Sequence, residues 1–369
     1  MKALLNSFYV FAWAILAGCS GGNVRTTHEL IGDTLTARAE MLTMVDCGDW
    51  TAVEISVPWS NSAPLARYAI LREDVEVPAD FTVIRAPIER SVVFSAVYAS
   101  ALAELGCIDA VCGVADGSFY QPSDTIARLI NSGKITDVGS SMAPMIEKII
   151  DLQPSAVLLS PYEDVASVGV DRAAIPQVWM ADYLENDPLG RAEWILLLGE
   201  LYGRREQART ILSEAVTTYN DIKKKTEIVA EKPLVITEKP MSGYWYVPGG
   251  ESYVARMIAD SGGSYPWADS KSAGSISLDE AAVIDKGVDA DVWLIKDTKN
   301  LTAETLLTEL PRARVLQPYP ASTFFCNTLT TPYYNDIAFH PHRILADYAA
   351  ILHPELFPDY VPQYYQKLK

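Results

Sequence analysis

Cys19 is the residue whose surroundings point most directly to a chemical modification. It follows Leu-Ala-Gly at the end of an apolar run from Phe8 to Leu16, and Lys2 gives the segment a positive start. The run is too short to cross a bilayer, and small residues precede the cysteine, so residues 1–18 are predicted to be a signal peptide. The remainder of the chain is therefore expected outside the cytoplasm.

The Leu-Ala-Gly-Cys sequence resembles the lipobox of bacterial lipoproteins, whose cysteine is lipidated and becomes the mature N-terminus. The resemblance implies that Cys19 carries acyl chains that anchor the protein to a bacterial membrane, while the membrane and leaflet stay open. An ordinary signal peptide with an incidental cysteine is the alternative. Residues 19–44 are predicted to form a tether and N-terminal extension, since their first part is polar and rich in glycine and threonine.

The other cysteines do not form a recognisable reactive pair. They are Cys47, Cys107, Cys112 and Cys326. In an exported protein they could form up to two disulfides with three possible pairings, or remain buried free thiols. The chain contains no Cys-x-x-Cys pair, so neither a thiol redox enzyme nor a cysteine zinc site is expected.

Composition and motifs narrow the classes of function. The chain has 30 basic and 47 acidic residues and a net charge of −17, which argues against nucleic acid as a partner and against electrostatic docking on anionic lipids. It carries no Gly-x-Ser-x-Gly elbow, His-Glu-x-x-His, phosphate-binding loop or Gly-x-Gly-x-x-Gly. An enzyme is therefore not expected, and an extracytoplasmic hydrolase with an unfamiliar site remains an alternative.

Strand and helix patterns alternate along most of the chain, which predicts an α/β fold with largely parallel sheets. This alternation of strand and helix patterns is interrupted only from Pro188 to about Lys225, where apolar residues recur at helical spacing. We predict an N-terminal α/β lobe over 45–187, a connecting helix over 188–230, kinked or divided near Gly203, and a C-terminal α/β lobe over 231–369. A terminal helix is predicted over 361–368.

Three segments carry a resemblance to a known family, the periplasmic substrate-binding proteins of metal-chelate ABC importers. They are Glu147-Lys-Ile-Ile-Asp-Leu-Gln-Pro-Ser-Ala-Val-Leu-Leu, Pro188-Leu-Gly-Arg-Ala-Glu-Trp194 and the Gly249–Gly263 segment, which ends in paired glycines. The resemblance implies a class III periplasmic binding protein, with two Rossmann-like lobes of mostly parallel sheet joined by a long rigid helix. It also implies a monomer that takes a ferric siderophore, haem or cobalamin in the cleft between the lobes and delivers it to an ABC permease and its ATPase. No resident cofactor is implied, and the sequence does not identify which of these chelates is carried.

A cleft for a large flat chelate needs aromatic walls and a few polar groups. Three loops flanked by glycine or proline follow strands or helices at similar places in the two lobes, and a cationic side chain follows an early strand. The predicted ligand-binding residues are Phe119, Tyr120, Tyr244, Trp245, Tyr246, Tyr265, Trp267 and Arg85. Arg90 and Lys239 are weaker candidates that are more typical of surface charges.

The resemblance also implies that each lobe presents one glutamate to arginines of the permease. The matching positions are Glu147 in the first lobe and Glu280 in the second, with Asp279 as an alternative to Glu280. A solvated helix face would explain Glu147 equally well.

A zinc or manganese binder of the same architecture is a further alternative, but the histidines support it weakly. His28 lies in the predicted tether, and His340, His342 and His353 lie in one short stretch. Such a segment cannot easily supply three or four ligands from both lobes. A cleft histidine as an axial ligand of haem or cobalt stays open.

Overall fold

The computed structural model describes residues 31–60, 63–120, 125–163 and 169–369. Cys19, the predicted signal peptide and most of the predicted tether lie outside the described residues. None of the helices in the described ranges combines the length and apolar character needed to cross a bilayer.

The described chain begins with a five-stranded sheet of its own, ordered β1-β2-β3-β4-β5. The strands are Asp33–Thr34 (β1), Leu42–Asp46 (β2), Trp50–Ile55 (β3), Ala66–Leu71 (β4) and Thr82–Arg85 (β5). Strands β1 to β4 are antiparallel, and only the β4–β5 pair is parallel. The start of the predicted N-terminal lobe is therefore a largely antiparallel sheet, which also includes part of the predicted N-terminal extension.

Buried carboxylates fasten this sheet to the helices that follow the first lobe. Glu193 accepts hydrogen bonds from the backbone N–H groups of residues 37, 38 and 39, at 2.9–3.1 Å. Glu185 accepts from the N–H groups of Glu40 (2.8 Å) and Met41 (2.9 Å). Because an unpaired carboxylate is costly to bury, these bonds hold residues 37–41 in one position.

The first lobe contains a five-stranded parallel sheet ordered β12-β11-β6-β7-β8. Its elements, with a small hairpin formed by β9 and β10, are Ser91–Val93 (β6), Ala96–Glu104 (α1), Val111–Val114 (β7), Thr125–Asn131 (α2), Thr136–Asp137 (β8), Gly139–Ser140 (β9), Ala143–Pro144 (β10), Ile146–Leu152 (α3), Ala156–Leu159 (β11) and Gln177–Trp179 (β12). The central strands are buried along their whole length, as expected for a parallel sheet covered on both faces.

Three consecutive helices, rather than one or two, connect the lobes: Pro188–Ala192 (α4), Trp194–Leu201 (α5) and Arg205–Thr226 (α6). The Asp187 side chain caps α4 by accepting from the N–H groups of Leu189 (2.8 Å) and Gly190 (3.2 Å). Every residue of α5 is buried, and Gly203, with a φ of +65°, separates α5 from α6.

The second lobe contains a sheet ordered β13-β17-β18-β19, in which only β19 is antiparallel, and a separate antiparallel sheet ordered β14-β15-β16. Its elements are Val235–Thr237 (β13), Pro240–Met241 (β14), Tyr244–Pro248 (β15), Tyr253–Asp260 (α7), Ser275–Leu278 (β16), Glu280–Gly287 (α8), Val292–Asp297 (β17), Ala303–Glu309 (α9), Thr323–Asn327 (β18), Tyr333–Phe339 (α10), Pro341–Leu352 (α11) and Gln366–Lys367 (β19).

The prediction of a helix over 361–368 was wrong. The buried Asp347 carboxylate accepts the backbone N–H groups of Gln363 (2.8 Å), Tyr364 (2.8 Å) and Tyr365 (3.0 Å). These bonds hold residues 363–365 in a bend around the carboxylate, and the chain continues as β19 beside β18.

The two lobes contact each other directly as well as through the connecting helices. Ala338 and Phe339, at the end of α10, pack into the core of the first lobe. Next to them, His340 Nε2 lies 2.7 Å from Glu104 Oε2 at the end of α1. Helix α11 also packs along α6. These contacts restrict the movement of one lobe relative to the other.

Candidate functional site

A cavity of about 580 Å³ opens at the carboxyl edge of the second lobe's parallel sheet. The residues that follow or end β13, β17 and β18 form its base, and β15, α7 and α10 form its walls. The lining residues in the described chain are Tyr183, Glu238, Lys239, Pro240, Met241, Tyr246, Pro248, Ser252, Tyr253, Val254, Ala273, Gly274, Ser275, Lys296, Asp297, Thr298, Thr328, Tyr333 and Tyr334. The edge where parallel strands end is the usual binding position in α/β folds.

Tyrosine dominates the walls of this cavity. Five tyrosines line it, and they are Tyr183, Tyr246, Tyr253, Tyr333 and Tyr334. Within the described chain Tyr183 is the lining residue that comes from the first lobe, so the cavity borders both lobes. Aromatic faces with hydroxyl groups at their rims suit a ligand that has both apolar surface and hydrogen-bonding oxygens.

The charged groups of the cavity are arranged as ion pairs. Lys296 Nζ contacts Glu238 Oε1 and lies 5.4 Å from the centre of the Tyr333 ring. Lys239 Nζ lies 3.0 Å from Asp297 Oδ2 and also contacts Glu309. Burial lowers the pKa of Lys296, but the Glu238 carboxylate, together with Tyr348 and Tyr334, outweighs burial, and the pKa lies above its ordinary value. Both lysines are therefore charged and neutralised locally.

Glu238 occupies an unusual backbone position at the end of β13. Its φ is +63°, a region that residues with a side chain rarely adopt. Its backbone N–H donates to Leu294 O (2.8 Å), and its carbonyl accepts from Trp293 Nε1 (2.7 Å). The neighbouring strand thus holds the residue that pairs with Lys296. Non-glycine residues in this conformation are concentrated at functional sites.

A buried network supports the tyrosine that the first lobe contributes. Asp182, next to Tyr183, accepts from Tyr98 Oη (2.6 Å) and from Arg191 Nε (3.0 Å). The Arg191 guanidinium in turn lies 5.0 Å from the centre of the Tyr253 ring in the second lobe. Burial raises the pKa of Tyr183 to about 12, so its hydroxyl stays protonated and donates to Pro161 O.

The strand Tyr244–Pro248 places only one of its three predicted residues in the cavity. Tyr246 lines the cavity, whereas Trp245 is fully buried against Trp293, with ring centres 5.8 Å apart. Its Nε1 donates to Thr237 O (2.9 Å). Tyr244 is exposed and is not a lining residue. Successive side chains of a strand point to opposite faces, so the three could not share one wall.

Tyr265 and Trp267 buttress the cavity from behind instead of lining it. Both are buried, with rings in an edge-to-face contact at 5.4 Å, and Tyr265 Oη donates to Pro248 O (2.8 Å). Gly249 approaches the next segment so closely that a Cβ atom would lie 2.2 Å from Ser272 O. The close approach at Gly249 and the packing of Tyr265 and Trp267 therefore hold the loop after β15 against the loop before β16, at the wall of the cavity.

Tyr120 and Arg85, two of the residues predicted in the first lobe, lie outside the lining of the cavity. Phe119 ends a 3₁₀ turn, Gly117–Phe119, and Tyr120 is buried in the core of the first lobe. Arg85 lies at the end of β5, where it pairs with Asp74 at 2.9 Å and is exposed. Arg90 donates to Leu152 O at the end of α3. Of the cationic candidates, Lys239 is the one that the structure places in the cavity.

The two predicted docking glutamates occupy matching positions. Glu147 lies in the first turn of α3, which precedes β11, and Glu280 lies in the first turn of α8, which precedes β17. Glu147 is exposed, whereas Glu280 is half-buried and lies 3.7 Å from Arg312 Nη1. Asp279 is the N-cap of α8, and its side chain accepts from Ala282 N–H (2.7 Å).

The described histidines are buried, and so are the described cysteines except Cys47, which is half-buried. His340, His342 and His353 are buried at the ends of α11. The described cysteines, Cys47, Cys107, Cys112 and Cys326, are free thiols. Over the described ranges, no group of three or more His, Cys, Asp or Glu side chains could hold a metal ion.

The sequence reasoning missed several lining residues, namely Tyr183, Tyr253, Tyr333, Tyr334, Glu238 and Lys296. Tyr183 and Tyr333 each come shortly after a parallel strand, a position that favours ligand contacts. That signal was available in the sequence. The position of Lys296 in the lining was harder to predict, since this residue lies inside an apolar strand.

The family described as periplasmic binding protein matches this chain over residues 92–321. An uncharacterized lipoprotein of Methanocaldococcus jannaschii, MJ0878, is 27% identical over 288 residues, which cover 75% of this chain and 68% of that protein. The TroA-like periplasmic binding protein FepB from Veillonella parvula superposes with a TM-score of 0.59 at 15% identity, covering 77% of this chain and 95% of that one. A periplasmic heme-binding protein from Pseudomonas aeruginosa gives a TM-score of 0.59 at 13% identity, covering 76% and 98%. Because the family match spans more than half of the sequence, and the two α/β lobes joined by helices agree with it, the chain belongs to the periplasmic binding protein family.

Proposed function

We propose that this protein is a membrane-tethered solute-binding protein that captures a metal chelate and delivers it to an ABC permease and its ATPase. The chelate would be a ferric siderophore, haem or cobalamin. The observation that carries the proposal is the tyrosine-lined cavity of about 580 Å³ at the carboxyl edge of the second lobe's parallel sheet, to which the first lobe contributes Tyr183. A cavity of this size matches ligands larger than a bare ion.

The surface of the first lobe supports the delivery step. Glu147 is exposed on α3, and three large apolar side chains near it in sequence are also exposed, namely Met142, Met145 and Ile150. Exposed large apolar side chains are typical of a protein–protein contact surface. We propose that Glu147 and Glu280 pair with cations of the permease, and that Cys19 carries the lipid that keeps the protein beside it.

Retained cargo tests the proposal. The mature protein, expressed in cells that supply iron and corrinoids, would be analysed by native mass spectrometry and then titrated with ferric chelates, haemin and cobalamin while tyrosine and tryptophan fluorescence is recorded. We expect one of these ligands to bind stoichiometrically and to quench the fluorescence. Absence of binding by all of them would overturn the proposal.

A further inference from the structure

Among the described residues, the lining of the cavity offers no unpaired cation to an anionic ligand. Its cationic lining residues in the described ranges are Lys239 and Lys296, and each has an acidic partner. Lys239 has a second acidic contact in Glu309, which lies behind the lining. Three carboxylates therefore surround two ammonium groups, within a chain whose net charge is −17.

Releasing a lysine for an anion would be costly at this place. The side chains of Lys296 and Glu238 are largely buried, with 13% and 20% of their surfaces exposed. An anion that took Lys296 would leave Glu238 unpaired in a poorly solvated position, close to the negative charge of the ligand. The ammonium group also lies 5.4 Å from the centre of the Tyr333 ring, a cation–π contact that adds to its pairing with Glu238.

The remaining contacts favour an uncharged ligand. Tyrosine rings and hydroxyls, together with Ser275 and Thr298, offer apolar surface and neutral hydrogen-bonding groups. Such groups recognise neutral oxygen-rich surfaces without a charge partner.

On the basis of the function proposed above, we propose that the cavity selects a metal chelate without net negative charge, and that Glu238 determines this selectivity by neutralising Lys296. The chemical class is an uncharged ferric trihydroxamate, in which three hydroxamate groups balance the charge of the ferric ion. A trianionic ferric tris-catecholate is excluded because its charge would meet lysines that are already paired with carboxylates.

The test is a fluorescence titration of the mature protein with an uncharged ferric trihydroxamate and with a trianionic ferric tris-catecholate. We expect the uncharged chelate to bind about 100-fold more tightly or better. Glu238→Gln frees the charge of Lys296 and should reduce that preference by about tenfold or more. Glu304→Gln makes the same change in net charge on an exposed turn of α9 outside the lining, and should leave the preference unchanged.

The outcomes separate the two proposals. If neither chelate, haemin nor cobalamin binds, the proposed function fails and this inference fails with it. If the tris-catecholate binds as tightly as the uncharged chelate, or if Glu238→Gln behaves like Glu304→Gln, only the selectivity is overturned. Should Glu238→Gln fail to fold, the double variant Glu238→Gln/Lys296→Met removes both charges and should retain the preference for the uncharged chelate. Loss of that preference in the double variant would contradict the inference.

Discussion

Trp245 and Tyr246 are adjacent on β15, but their side chains point to opposite faces of the strand. The Trp245 ring packs on Trp293 in the core, and the Tyr246 ring lines the cavity. Tyr244 shares the outward direction of Tyr246, with ring centres 6.4 Å apart, but lies outside the lining. This strand therefore offers a matched pair of exposed tyrosines, 54% and 40% exposed for Tyr244 and Tyr246, of which one contacts the cavity.

Tyr246→Ala is expected to weaken chelate binding by about tenfold or more, because it removes an aromatic wall worth about 1–2 kcal/mol. Tyr244→Ala removes a ring of the same kind from the same strand and should change binding less than about twofold. Fluorescence titration with the preferred chelate measures both variants. Equal effects of the two substitutions would show that the cavity does not hold the ligand at this wall.

Asp182→Asn is expected to lower the free energy of unfolding by about 3–5 kcal/mol, because it leaves Arg191 buried without a negative partner. Asp74→Asn breaks an exposed ion pair with Arg85 and should cost less than about 0.5 kcal/mol. Urea unfolding followed by circular dichroism measures both. A small effect at Asp182 would mean that the network does not fix the position of Tyr183.

The pH dependence of stability should carry a contribution from His342. Burial, with the neighbouring His340 and Arg343, lowers the pKa of His342 to about 4, against the weaker opposite effect of Glu104. Below about pH 6.5 the unfolded chain binds a proton at this residue that the folded chain does not bind until about pH 4. The contribution is therefore complete above that range and is lost as the pH falls through it.

His342→Gln removes this titration and should make unfolding less sensitive to pH. We expect the wild-type protein to lose on the order of 2–3 kcal/mol more than the variant between about pH 7 and pH 4. Urea unfolding at several pH values gives the comparison. Identical pH profiles would show that His342 titrates normally in the folded chain.

Substitutions of the two acidic residues at the start of α8 should have different effects on uptake and on stability. Glu280→Ala is expected to reduce permease-dependent uptake about tenfold with unchanged chelate binding, since it removes a proposed docking charge. Asp279→Ala removes the N-cap bond to Ala282 and should cost about 1 kcal/mol of stability. Uptake in cells and thermal unfolding are the two readouts. A larger loss of uptake in a stably folded Asp279→Ala protein would assign the docking role to Asp279.

Local pattern predicted the α/β lobes well, because buried parallel strands and the helix-rich segment after Pro188 have distinct periodicities. It could not show that β1 to β5 form a separate sheet, since an alternating strand pattern does not specify the direction of its partner. The C-terminal segment was misjudged for a related reason. Its conformation depends on Asp347, a residue in another element that accepts three of its backbone donors.

The place of the cavity could be predicted better than its lining. The connection that follows the parallel strand β13 was correctly predicted to border the binding site, and Lys239 and Tyr246 lie in it. Tyr244, Trp245 and Tyr246 were all predicted to contact the ligand. Because side chains alternate along the strand, Trp245 points into the core and Tyr246 into the cavity. Lys296 and Glu238 lie on different strands, so their pairing depends on the register of β13 beside β17.

Ala273 allows a direct test of the claim that this cavity holds the cargo. It is exposed and lines the cavity, so Ala273→Trp should fill the binding space without disturbing the core. Ala281→Trp adds the same ring on the exposed start of α8, away from the lining. Titrated with the chelate that the wild-type protein retains, Ala273→Trp should lose binding about 100-fold or more, while Ala281→Trp should bind normally. Wild-type affinity in a folded Ala273→Trp protein would contradict the account.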